Sequence, residues 1–125
     1  GISPFEALRA KGGGGPELRG DVGVLVICSY RPHPGHEDEA RALMQAHVPL
    51  LRQHGLITDR PVVQGVAKDG ELVEIFEWVS VEKSRGAPAI AEIGNHWKAM
   101  SAVMDFVPMA QLAECQHAFA HFTPL

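Results

Sequence analysis

An α+β fold with the element order βαββαβ is predicted by three observations. The run Val22 to Arg31 alternates with a period of two and is apolar on both faces. Two further strand-like runs flank Asp69-Gly70, the strongest short hairpin signal. Two stripes at three- and four-residue steps, Ala40 to His54 and Ile90 to Val107, follow the first strand and the hairpin. At 125 residues the chain fits one domain with a core and one site. Fold alone does not license a function.

The elements follow in order. Residues 1–20 read as a tail and residues 21–125 as the domain. In the tail, Ser3-Pro4-Phe5-Glu6 has the form of a capping box with proline at the first helical position, Ala7 to Lys11 complete two turns, and Gly12 to Gly15 form a linker. Phe5 and Leu8 give that short helix an apolar side to dock on its own core or a partner. In the first strand, Val22, Val24, Val26, Cys28 and Tyr30 lie on one face and Leu25, Ile27 and Ser29 on the other, so both faces require cover. Arg31-Pro32-His33-Pro34-Gly35 is a loop. Glu37, Asp38 and Glu39 then load a helix N-terminus with favourable negative charge, and Ala40, Leu43, Met44, His47, Leu50, Leu51 and His54 form its buried stripe up to Gly55. Pro49 removes one donor from this helix and predicts a kink near Ala46 to His47.

Val62 to Lys68 and Glu71 to Ser80 form the hairpin strands, joined by a primed turn on Asp69-Gly70. Ser84 to Pro88 is a loop. Ile90, Ile93, Trp97, Met100, Met104 and Val107 mark the second helix, with Gly94 a point of close packing, and Pro108 ends it. Met109 to Gln116 is the last strand, followed by a tail from His117 to Leu125. The expected architecture is a ferredoxin-like antiparallel sheet in the order 4-1-3-2 with two helices on one face.

Composition narrows the function classes. A net charge of -4 offers no basic stripe for phosphates, so no nucleic acid is expected as a partner. No apolar run is long enough for a membrane span and no signal pattern opens the chain, so the expected location is the cytoplasm. Two cysteines, Cys28 and Cys115, read as reduced thiols that become neighbours if the first and last strands pair.

His47-Val48-Pro49, Gly55-Leu56-Ile57-Thr58-Asp59-Arg60-Pro61, Ala67-Lys68-Asp69-Gly70, Phe76-Glu77-Trp78 and Asp105-Phe106-Val107-Pro108 resemble a group of small bacterial proteins in the antibiotic-biosynthesis-monooxygenase-like branch of the dimeric α+β barrel superfamily. The resemblance covers roughly Gly23 to Leu125. It implies a homodimer with sheets face to face, and an activity among those of cofactor-independent monooxygenases, haem-degrading oxygenases and proteins without chemistry. Relatives carry a histidine early in the second helix where this chain has Pro88 after Ala87, so that role is not carried over; His96 is the nearest later imidazole.

Glu74 and Glu77 fall on opposite faces of an otherwise apolar strand, so at least one is partly buried, either as a base or as an ion pair with Arg52, Arg60 or Lys98. Trp78 and Trp97 are placed to frame an apolar cavity, with His47 or His96 as its polar contact. Plain core packing is the competing reading. Tyr30 is the one phenol. The candidate catalytic residues are therefore Glu77 and His96, and the candidate ligand contacts are Tyr30, His47, Glu74, Trp78, Trp97 and Met100. His33 with His36, and His117 with His121, bring no obvious third ligand, so no metal site is expected, and no cofactor is implied. The expected function is binding, and cofactor-independent oxidation, of a small planar aromatic ligand. The alternatives are a non-catalytic ligand-binding or interaction module and, more weakly, haem binding through Trp78 and His96.

Overall fold

The first apolar run becomes the central strand: β1 (Val24–Pro32) is bonded on one side to β3 (Leu72–Trp78) and on the other to β4 (Met104–Val107), both antiparallel. The computed structural model describes residues 23–125, so the expected tail helix and glycine linker lie outside the described residues. β2 (Val63–Val66) pairs with the free edge of β3 and β5 (Thr123–Pro124) with the outer edge of β2, giving the order β4-β1-β3-β2-β5. The helices are α1 (Glu37–Gln53), α2 (Val81–Gly86) and α3 (Ala91–Val103). This α+β arrangement is compatible with a ferredoxin-like fold: four strands in the order 4-1-3-2 are extended by one short strand.

Local chemistry explains the element ends. α1 runs through Pro49 and closes in a Schellman motif, with Leu56 N–H on the Leu51 carbonyl at 3.0 Å, Gly55 N–H on the Arg52 carbonyl at 2.9 Å, and Gly55 at φ +67°. Ser80 caps α2 by accepting from the Lys83 N–H at 3.1 Å, which turns the expected loop after β3 into a short helix. A Cβ on Gly94 would stand 3.0 Å from the Pro88 carbonyl oxygen, so this glycine lets α3 pack closely on the preceding 3₁₀ turn.

Three expectations are corrected. The last core strand is Met104–Val107, not Met109 to Gln116; α3 stops at Val103, and Met109–Gln111 and Ala113–Gln116 are 3₁₀ turns. Met104 and Val107 fit a helical stripe as well as a strand, and pairing with β1 from Pro32↔Met104 to Ser29↔Val107 decides the matter. The hairpin turn is not primed. Gly70 N–H bonds the Ala67 carbonyl at 2.9 Å, Gly70 has φ +97°, and no described residue other than glycine has positive φ. Lys68 and Asp69 are therefore the turn centre and Gly70 the left-handed residue after it, the three-residue form. Cys28 packs with the helix-side clusters and Cys115 with a cluster on the other face, so the two thiols are not neighbours.

The sheet's helix face carries the main core. Val24, Phe76 and Trp78 pack with Val48, Leu51 and Ile93, while Tyr30 and Leu72 pack with Met44, Met100 and Met104. On the open face the C-terminal segment covers one end, where Leu112 is sealed against Ala67 and Val73 beside Phe122. At the other end Leu25 is 61% and Ile27 44% exposed among the described residues. No described helix is long and apolar enough to cross a membrane.

Candidate functional site

The helix face of β3 reads Leu72, Glu74, Phe76, Trp78, and period two therefore drives one carboxylate into an apolar layer. Glu74 is 0% exposed. An unpaired buried carboxylate is prohibitively costly, and three elements supply donors to it. From β1, the Tyr30 hydroxyl donates to Glu74 Oε1 at 2.6 Å. From α1, His47 Nδ1 lies 3.0 Å from the same oxygen. From β2, Gln64 Nε2 donates to Oε2 at 3.2 Å.

The histidine's tautomer follows from its other nitrogen. Trp97 Nε1, from α3, donates to His47 Nε2 at 2.7 Å. An indole N–H donates only, so Nε2 is an acceptor, the proton sits on Nδ1, and the ring is neutral. Nδ1–H thus donates to Glu74, which accepts from all three partners as a carboxylate should. The result is a buried relay, Gln64 to Glu74 to His47 to Trp97, crossing from sheet to helices, with Tyr30 as a side branch.

Its surroundings are apolar and aromatic. The Phe76 ring meets His47 edge-on at 5.8 Å, and His96 stacks parallel to His47 at 6.1 Å while its Nε2 lies 2.8 Å from the Leu43 carbonyl. That nitrogen of His96 is not free for an iron. Burial pushes the Cys28 thiol up to about 12, with the Glu74 charge adding to the effect. Burial likewise pushes the Tyr30 phenol far up, reinforced by Cys28 and Glu74. Neither group is an anion at neutral pH, and Tyr30 acts as a hydroxyl donor.

Of the residues expected from sequence, Tyr30, His47, Glu74 and Trp97 form the relay, His96 flanks it, and Met100 is buried beside Tyr30 and Leu72. Trp78 is buried one step away, edge-on to Phe76 at 5.2 Å, and its N–H has no partner among the described residues. Phe76 and His47 stand between the two tryptophans, filling the space expected to be a cavity. Glu77 points to the open face, accepts from the Thr58 hydroxyl at 2.8 Å and pairs with Arg60 Nε at 3.3 Å. The Thr58 hydrogen bond, with Arg60 beside it, holds its carboxyl below the usual range. It is the ion pair, and the buried carboxylate is Glu74.

Gln64 was missed. Its signal is positional, since it lies directly opposite Glu74 in the hairpin register, but a primed turn on Asp69-Gly70 shifts that register by one. His33 bonds Asp105 at 2.9 Å and His36 lies 3.3 Å from Glu39. Among the described residues no group of three or more side chains is set to hold a metal ion. A groove of about 210 Å³ lies on the open face between β2, β3 and the C-terminal segment, lined by Val63, Val73, Ile75, Phe122 and Pro124.

No family model matches the chain, and no curated protein or solved structure matches it.

Proposed function

We propose that this chain binds a small planar quinol-type aromatic ligand where Trp97 meets His47, and that His47 Nε2 takes the ligand's hydroxyl proton. The carrying observation is the buried Glu74 carboxylate against His47 Nδ1 at 3.0 Å. A carboxylate so placed fixes the tautomer and steadies the imidazolium formed when Nε2 takes a proton, the logic of an oriented general base. The half-buried His96 and Trp97 rings supply flat surfaces for a planar ligand. The chemistry that follows is the cofactor-independent one: the electron-rich anion passes electrons to dioxygen, and apolar walls exclude water. The resemblance to monooxygenase-like proteins supports this reading. Base and carboxylate are now His47 and Glu74 in place of Glu77.

The second reading, a ligand-binding module without chemistry, draws support from one observation. His47 and Glu74 already have protein partners at every ring nitrogen and carboxylate oxygen. Oxygen uptake with a panel of polycyclic quinols in the presence of chelator separates the two. The enzyme reading expects uptake that survives chelation, collapses in His47→Gln and persists in Glu77→Gln. Binding without uptake across the panel selects the module.

The proposed partner is a second copy of the chain. Leu25, Ile27 and Val63 expose apolar surface at the open end of the sheet, and a two-fold pairing of these faces would give β1 its second cover.

A further inference from the structure

We propose that Trp97 is the latch of this site, and that a neutral ring carrying an O–H or N–H donor is what displaces it. The inference rests on the reading of His47 Nε2 as the nitrogen that meets the ligand. That nitrogen is occupied: the Trp97 N–H stands 2.7 Å from it. His47 itself is 2% exposed, while Trp97 is half-buried, so the indole is the outer member of the pair. A ligand reaches Nε2 by exchange with the indole, a partly buried side chain packed against both clusters of the main core.

The chemistry of the exchange selects the occupant. Nε2 presents a lone pair, because the Nδ1 proton is committed to Glu74. An incoming O–H or N–H reproduces the bond that the indole gives up. A ring with acceptors only sets lone pair against lone pair and leaves Nε2 unsatisfied, which is the expensive outcome in a buried site. An anion fares worse. Among the described residues the polar groups on His47 and its carboxylate are Glu74 from β3, the His96 ring from α3, and, around Glu74, the Tyr30 hydroxyl and Cys28 thiol from β1 and the Gln64 amide from β2. None is a lysine or arginine, so a second negative charge would approach Glu74 uncompensated. The indole is in effect the ligand's template: flat, neutral, and carrying one donor at its edge.

The test titrates the intact chain with 2-naphthol, 2-methoxynaphthalene and 2-naphthoate by calorimetry, in wild type and in Trp97→Phe, which keeps a ring in the packing and removes the N–H. The latch expects Trp97→Phe to bind 2-naphthol about tenfold more tightly than wild type, and to prefer it over its methyl ether by about tenfold, the worth of one net hydrogen bond. Naphthoate should bind most weakly. Equal naphthol affinity in wild type and Trp97→Phe overturns the latch. Equal naphthol and ether binding overturns the donor rule while leaving an aromatic site in place. A folded Trp97→Phe that binds none of the three overturns the latch and the proposed ligand site together. If Trp97→Phe does not fold, Trp97→Ala carries the same comparison with indole and 1-methylindole. Rescue of its melting temperature by indole alone supports the latch, and rescue by both or neither overturns it.

Discussion

Glu74→Ala and Glu74→Gln should part company sharply, and the hydrogen bonds say by how much. Alanine strips the acceptor from the Tyr30 hydroxyl and the His47 Nδ1–H, both buried, and from the partly buried Gln64 amide. Each buried donor left unpaired costs about 1 to 3 kcal/mol, so the two buried donors together lose about 2 to 6 kcal/mol. Such a loss is a large part of the roughly 5 to 15 kcal/mol that holds a domain together. Glutamine behaves differently because of where the bonds land. Tyr30 and His47 both use Oε1, which the glutamine carbonyl oxygen can replace. The new amide nitrogen then takes the place of Oε2 opposite Gln64, whose own amide can turn to present its oxygen. What remains is the difference between charged and neutral hydrogen bonds, partly offset by no longer burying a charge, so a net loss of about 1 to 2 kcal/mol is expected. Urea unfolding near pH 7, with slopes compared to confirm two-state behaviour, measures both variants. An alanine variant within about 1 kcal/mol of wild type, or equal losses for the two variants, would refute the claim that Glu74 is the hub of a satisfied buried network.

Burial raises the folded-state pKa of Cys28 from 9.0 to about 12 and lifts Tyr30 above its ordinary 10.0. The stability linked to these groups is therefore intact below about pH 9 and lost as pH rises through the alkaline range, at about 1.4 kcal/mol per pH unit for each group titrating only in the unfolded chain; a melting temperature constant from pH 8 to 11 would contradict it. Gly65→Ala would set a Cβ 2.9 Å from the Thr123 carbonyl oxygen, so the C-terminal strand should lift from β2, seen as faster amide exchange at Thr123 and Leu125 with little change in the core. Ile27→Glu and Leu25→Glu place charge on the exposed apolar end of the sheet and should turn a dimer into a monomer in sedimentation; a wild-type chain that is already monomeric at micromolar concentration removes that proposal.

The relay was half legible. Tyr30, His47, Glu74 and Trp97 each stood out as a polar or amphipathic side chain on a buried stripe, and helical spacing placed His47 and Trp97 on inward faces. Which carboxylate was buried was not legible. Glu74 and Glu77 lie on opposite faces of one strand, and the sequence treats those faces alike until something covers them. Three helices cover the face of Glu74, whereas Glu77 stays at the open face beside Thr58 and Arg60, two residues from the connector after α1. Gln64 shows the same limit at the scale of one residue. A primed turn on Asp69-Gly70 would set Gln64 across from Ile75, while the three-residue turn sets it across from Glu74, and a slip of one residue exchanges the faces.

Periodicity and turn chemistry are local, and what the sequence determined alone is what they control: an α+β domain, the identities of β1, α1, the hairpin and α3, the close packing at Gly94 and the closing glycine of α1. The tertiary structure decided whatever depends on a partner distant in the chain. Met104 to Val107 became a strand because β1 offered it an edge. Leu112 left the expected strand to seal the open face against Val73. The tautomer of His47 is set by Glu74 on β3 and Trp97 on α3, residues 27 and 50 positions away. A proton's place on a buried ring depends on which donor and acceptor packing brings within 3 Å, and no pattern confined to one segment carries that information.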